Sequence, residues 1–223
     1  MEIFESLDHF CLENLDETND WYTWKINESK IPVNIILPTG NQYLKNIILK
    51  EKLHKAWEAE SDIKKKGEII KYYIKDWGGI GTNSDDSMKI YMYSSPDTLI
   101  EYGKKGIPSW SKALVIHNPH IYAIFDARVS ISLNCLQIIY NIADKELFPI
   151  LASRNKAITE GQKIIKQISK QNHWKKVDKT MFYLNYLTLL KKVARNRNKN
   201  LSTIEMLLFA KAEYLVNKIK NFA

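Results

Sequence analysis

Two stretches decide the fold. The first is Pro96-Asp97-Thr98-Leu99-Ile100-Glu101-Tyr102-Gly103-Lys104-Lys105-Gly106-Ile107-Pro108-Ser109-Trp110-Ser111-Lys112-Ala113-Leu114, and the second is Tyr122-Ala123-Ile124-Phe125-Asp126-Ala127-Arg128-Val129. Ser95-Pro96-Asp97 starts a helix that ends at Gly103 or Gly106, since serine caps free N–H groups and proline suits the first helical position. A tight turn follows. A second helix then starts at Ser111-Lys112 and stops before Asn118-Pro119. After a short apolar run, Ile121 to Phe125, Asp126 heads a long helix from Ala127 to about Ile142.

Outward from this segment the pattern stays helical. Leu44, Ile47, Ile48, Leu49, Leu53 and Trp57 share one face of a helix, and Ser61-Asp62 caps another that carries Ile63, Ile69, Ile70, Tyr73 and Ile74 to Trp77. Gly78-Gly79-Ile80-Gly81-Thr82-Asn83 breaks it, and Ser84-Asp85-Asp86 opens a helix through about Tyr93. Three further helices are predicted over about 159–171, 177–196 and 201–221, the last with the capping-box pattern Ser202-Thr203-Ile204-Glu205. Residues 1–43 lack a clear period. They read as an N-terminal arm whose only β-like run is Val33 to Leu37, and residues 44–223 read as one helical domain. The expected class is mainly α, with many short helices and a short extended N-terminal segment.

Composition narrows the function classes. The chain has 223 residues, 45% hydrophobic and 26% charged, enough to bury a core. Two cysteines, Cys11 and Cys135, cannot build a disulfide scaffold or a four-thiolate cluster. No apolar run approaches the roughly 20 residues that cross a bilayer. The start, MEIFESLDHF, is acidic and has no basic n-region, which argues against a secretory signal, so a cytoplasmic location is expected, with no membrane partner. Charge is lopsided: residues 151–223 hold 16 basic and 4 acidic side chains, a net of +12, while residues 1–150 hold 17 and 21, a net of −4. A basic half suits a polyanion, because neutralising phosphates releases counterions; a solvated lysine-rich surface is the plainer reading.

The helix–turn–lysine helix followed by an aspartate-headed helix resembles the helix-hairpin-helix DNA glycosylase superfamily, and within it the bacterial 8-oxoguanine glycosylase-like branch. The residues that carry the likeness are Ile107 to Leu114 and Tyr122 to Val129, supported by Tyr186-Leu187-x-Leu189-Leu190 and Ile204 to Ala210. The likeness covers about residues 60–215, with its motif core in 103–136. It implies a multi-helix glycosylase fold and double-stranded DNA with a damaged base, 8-oxoguanine foremost, as partner. It also implies a monomer, nucleoid-associated in a bacterium, that needs no cofactor and no metal. By position, Lys112 would be the nucleophile and Asp126 the essential carboxylate. Ser109, Trp110, Ser111 and Arg128 would position the DNA backbone. The departures are Ser109 and Ser111 in place of the hairpin glycines, Arg128 in place of a histidine, and a short spacing of 14 between Lys112 and Asp126.

The chemistry suits those residue types. Breaking an N-glycosidic bond leaves positive charge on the sugar, which a carboxylate below C1′ stabilises. A neutral lysine amine can attack C1′, form a Schiff base and permit strand cleavage by β-elimination. A lysine titrates near about 10.4, so it must be desolvated or set near positive charge to act. Each residue also has an ordinary role. A lysine early in a helix is usually solvated, and an aspartate before a helix is by default its N-cap.

Beyond the motif, Lys175 and Lys176, with Lys191-Lys192 and Arg195-x-Arg197, are phosphate-contact candidates on the basic half. Trp77, Phe182 and Tyr186 are candidates for a flipped-base pocket, although most such aromatics are core. Gly78 to Asn83 lacks the spacing of a phosphate loop and reads as a helix-ending turn. His117 and His120 lack a third metal ligand. Two rival functions stand beside the enzyme: a DNA-binding protein that kept the hairpin without the chemistry, and a helical interaction protein whose basic tail only aids solubility.

Overall fold

The computed structural model describes residues 2–16 and 18–222. Among them are eleven α-helices and one two-stranded parallel pairing, so the chain is mainly α as the periodicity predicts. Contacts divide it into two compact units, residues 2–16 with 125–222, and residues 18–124. The expected boundary near residue 43 is not where the division falls. Residues 3–14 form a helix rather than an extended arm, and residues 18–43 belong to the second unit. The run Val33 to Leu37 forms no strand.

The first unit is built on α7 (Ala127–Ile139), against which α1 (Ile3–Asn14), α8 (Lys156–Gln171), α10 (Leu201–Ala210) and α11 (Ala212–Ile219) pack. α7 is buried on nearly every side, so its polar side chains must find partners inside. They find them on the chain around β1 (Glu146–Leu147). Ser130 Oγ donates to Pro149 O at 2.5 Å. Asn134 Oδ1 accepts from Phe148 N at 3.0 Å. Gln137 donates to Glu146 O at 2.8 Å and accepts from Glu146 N at 2.7 Å. Ser132 Oγ ties the other side to Leu208 O at 2.7 Å. β1 thus has a fixed seat, and β2 (Lys175–Lys176) pairs with it in register Glu146 to Lys175. The predicted helix over 177–196 forms only as α9 (Phe182–Asn196), because Asp178 Oδ1 draws Thr180 N and Met181 N into a turn at 2.8 Å each.

α1 is fastened to the end of α9 by charge. The Arg197 guanidinium grips the Asp8 carboxylate through both oxygens, with Nε to Oδ1 at 2.7 Å, and Asn196 Nδ2 adds a bond at 2.7 Å. The Asp8 side chain is only 12% exposed, and the Arg197 bond holds its carboxyl below the usual carboxylate range.

The second unit is built on α6 (Ile107–His117), which packs against α2 (Gln42–Ala59), α3 (Ile63–Tyr72), α4 (Asp85–Tyr93) and α5 (Pro96–Glu101). A π turn over 73–77 follows α3 and stacks Trp77 on Tyr73 at 4.2 Å. α6 starts four residues earlier than the sequence suggests. Gly106 takes a left-handed φ of +70°, where a Cβ would strike the Tyr91 hydroxyl at 2.1 Å, and the helix proceeds from Ile107 with Pro108 in its first turn.

Replacing Asp8 with alanine leaves Arg197 without its counter-charge and is expected to lower unfolding stability by about 3 kcal/mol. Because the folded carboxyl is held low, its contribution is present above the unfolded value of about 3.9 and is lost as pH falls further. Chemical denaturation at pH 7 and pH 3 is therefore expected to show a wide gap between wild type and Asp8→Ala at pH 7 and a smaller one at pH 3.

Candidate functional site

Lys112 lies in α6 of the second unit, and Asp126 caps α7 in the first; the motif stretch Tyr122 to Val129 passes from one unit to the other after Ile124. Lys112 is only 4% exposed. Its Nζ donates to Pro108 O at 2.8 Å, one turn back in the same helix. Its stem lies against the backbone of Gly78, where a Cβ would approach Lys112 Cε at 2.6 Å and Ile74 O at 2.6 Å. The glycine-rich break after the π turn therefore has a physical purpose that the sequence does not announce: it makes room for a buried lysine. Buried lysines are rare, because the ammonium group loses its hydration.

Asp126 is half-buried, and its Oδ1 accepts from Arg128 N at 2.9 Å and Val129 N at 3.0 Å. Both cap bonds fall on that one oxygen. Oδ2 makes no hydrogen bond among the described residues. Behind the cap stands an aromatic wall, with Phe125 meeting Tyr186 edge-on at 5.0 Å and Phe182 at 5.4 Å. The Tyr186 hydroxyl is pushed well above its ordinary value by burial first, and then by the carboxylates of Glu205 and Asp126 and by Tyr183. It stays protonated.

Several expected contacts are corrected by this geometry. Ser109, Trp110 and Ser111 do not face solvent, because all three lie inside α6. Ser109 Oγ accepts from Asn83 Nδ2 at 2.9 Å, Trp110 Nε1 donates to Lys105 O at 3.0 Å, and Ser111 Oγ donates to Ile107 O at 2.6 Å. Nor does the first turn of α6 offer backbone donors to a phosphate. Ser109 N and Trp110 N both bond to Gly106 O, at 2.8 and 3.1 Å, and Pro108 has no N–H. Arg128 is drawn away from a phosphate role by Glu213, at 2.7 Å, and by the Phe209 ring beneath it. That guanidinium holds the Glu213 carboxyl below the usual range, with the Asn155 amide adding to it. Arg197 belongs to Asp8.

Of the base-pocket candidates, Phe182 and Tyr186 are core residues of the first unit. Trp77 is buried in the second, its Nε1 donating to Asn46 Oδ1 at 2.8 Å. Lys175 and Lys176 stand exposed on β2. His117 packs on Trp57 at 4.4 Å, where burial first, and then the charges of Lys66 and His54, lower it to about 4. His120 instead pairs with Glu51 at 3.2 Å. Among the described residues no group of three or more His, Cys, Asp or Glu could hold a metal ion. Glu213 carries no sequence signal, and Gly78 and Asn83 read only as parts of a helix-ending turn; the partners of Glu213, Asn83 and Gly78 lie 85, 26 and 34 positions away, beyond any local motif.

Comparison with protein-family models, with curated proteins and with solved structures finds no match to this chain.

The space around Lys112 yields a direct check. Gly78 has an ordinary φ of −81°, so the Cβ of Gly78→Ala costs only through contact, and stability is expected to fall by about 1–3 kcal/mol. Gly81, with open space around it, serves as control, and Gly81→Ala is expected to stay within about 0.5 kcal/mol of wild type in the same melts.

Proposed function

We propose that the protein is a DNA glycosylase of the helix-hairpin-helix type that excises a damaged base, 8-oxoguanine as first candidate, with associated strand-cleaving lyase activity. The observation that carries the reading is the burial of Lys112 at the position where the likeness places the nucleophile. The amine lies out of bulk water, on a stem for which Gly78 clears space. Asp126 adds to it, with one oxygen spent on the cap and the other open to meet positive charge.

In this reading the neutral Lys112 amine attacks C1′ of the target nucleotide as the bond to the base breaks, and the base departs with the electron pair of that bond. Asp126 stabilises the positive charge that develops on the sugar. The attached amine gives up a proton and the ring oxygen takes one up as its bond to C1′ breaks, which gives the protonated Schiff base; loss of a C2′ proton to solvent then expels the 3′ phosphate by β-elimination. No step needs a metal or an organic cofactor. Exposed Lys175 and Lys176 supply phosphate contacts.

A second reading, a helical interaction protein that does not hold DNA through this hairpin, draws on a specific observation. Ser109, Trp110, Ser111 and Arg128 are all committed to partners within the protein.

Borohydride trapping on duplexes with 8-oxoguanine or an abasic site separates the two. Wild type is expected to form a covalent adduct, and Lys112→Gln and Lys112→Met none; an adduct retained by both variants, or none with wild type, contradicts the proposal. Asp126→Asn gives a cleaner test of charge, because asparagine caps a helix as well as aspartate does. Its melting temperature is expected to match wild type while single-turnover excision falls about 100-fold or more.

A further inference from the structure

The outer face of α9 meets α1 in a cleft of about 640 Å³ lined by Phe4, Thr188, Lys191, Lys192, Arg195 and Asn196. All six lie in the first unit. Positions 188, 191, 192 and 195 recur at helical spacing, so they form one stripe. Three of the six are cations and none is an acid. On α1, Asp8 is held by Arg197 and by Asn196, and Glu5 accepts from the backbone N–H of Glu2 at 2.9 Å. Among the described residues no carboxylate pairs with Lys191, Lys192 or Arg195. Lys192 instead sets its Nζ over the Phe4 ring, 3.8 Å from the centroid. That contact leaves its charge uncompensated and fixes its position. A helix C-terminus by itself favours a cation such as Arg195 in its last turn, but Lys191 and Lys192 stand a turn earlier.

From this we infer that the α1–α9 cleft is a binding surface for the phosphodiester backbone of duplex DNA, separate from the residues proposed to do chemistry. The occupant follows from charge complementarity. Three like charges held together without counter-ions repel one another, and a polyanion relieves that repulsion while releasing its own condensed cations. The α9 side of the cleft belongs to a stretch of the same sign, with a net of +12 over residues 151–223, whereas α1 itself is acidic. The choice of DNA rests on the proposed function; the cationic stripe does not.

The test is fluorescence anisotropy with a labelled, undamaged duplex of about 20 base pairs, titrated from about 50 to 300 mM KCl. Each lost phosphate contact is expected to reduce the slope of log K against log salt by about 0.9. The triple variant Lys191→Gln, Lys192→Gln, Arg195→Gln is therefore expected to lose about 2–3 units of slope, with affinity weakened equally for unrelated sequences. A charge-matched triple on the exposed side of α8, Lys163→Gln, Lys166→Gln, Lys170→Gln, is expected to keep a slope close to wild type. Circular dichroism of both triples checks that they fold. Equal losses in the two triples, or an unchanged slope in the α9 triple, would overturn the inference. So would binding to vesicles rich in phosphatidylserine that the α9 triple loses while duplex binding persists. Absence of a borohydride adduct with the slope effect intact sinks the enzyme and leaves this surface standing. An adduct with no slope effect does the reverse.

Discussion

The burial of α7 is the constraint from which the first unit follows. A helix enclosed on nearly every side cannot leave serine, asparagine and glutamine unsatisfied, since an unpaired buried polar group costs about 1–3 kcal/mol. Ser130, Asn134 and Gln137 sit at positions i, i+4 and i+7, and each bonds to the backbone of residues 146–149. The same bonds satisfy main-chain groups of that segment, of which Phe148 is buried. One set of side chains thus seats β1, and β2 with Lys175 and Lys176 is set by pairing to it. Asp126 stands at the head of this immobilised helix, so its carboxylate is held by a scaffold with little freedom to move.

α6 plays the corresponding part in the second unit. Its interior carries Ser109, Ser111 and Lys112, polar groups that an apolar helix would not need. The two serines are explained by structure, one clamped to Asn83 and the other turned onto Ile107 O. Lys112 is explained less completely by structure. Its Nζ donates to Pro108 O, and a methionine or leucine would fill the same space without the cost of burying an ammonium. A lysine buried at such a cost is the feature that a catalytic amine would account for.

Local signals made most elements legible, because the apolar faces of α2 and α3 and the Asp126 cap of α7 identify these helices to within a few residues. Asp126 as an N-cap was legible for the same local reason. What escaped was non-local. The start of α6 was placed late because Ser109 and Ser111 read as turn residues, while the left-handed Gly106 and the buried partners of both serines move the first turn back to Ile107. The role of Arg128 depended on Glu213, 85 residues on, and that of Arg197 on Asp8, 189 residues back. α1 escaped because its acidic, aperiodic sequence is held by that long-range ion pair as much as by its apolar face. The basic stripe of α9 was visible as charge, but only the approach of Phe4 shows it as a cleft.

Peptide mapping asks whether the Lys112 amine forms a covalent bond to the sugar. The protein is incubated with an abasic-site duplex, reduced with borohydride, stripped of DNA by nuclease and digested, and the modified peptide is identified by mass spectrometry. A nucleophilic Lys112 is expected to carry the deoxyribose remnant. A remnant on the N-terminal amine, on another lysine, or on no residue at all would contradict it.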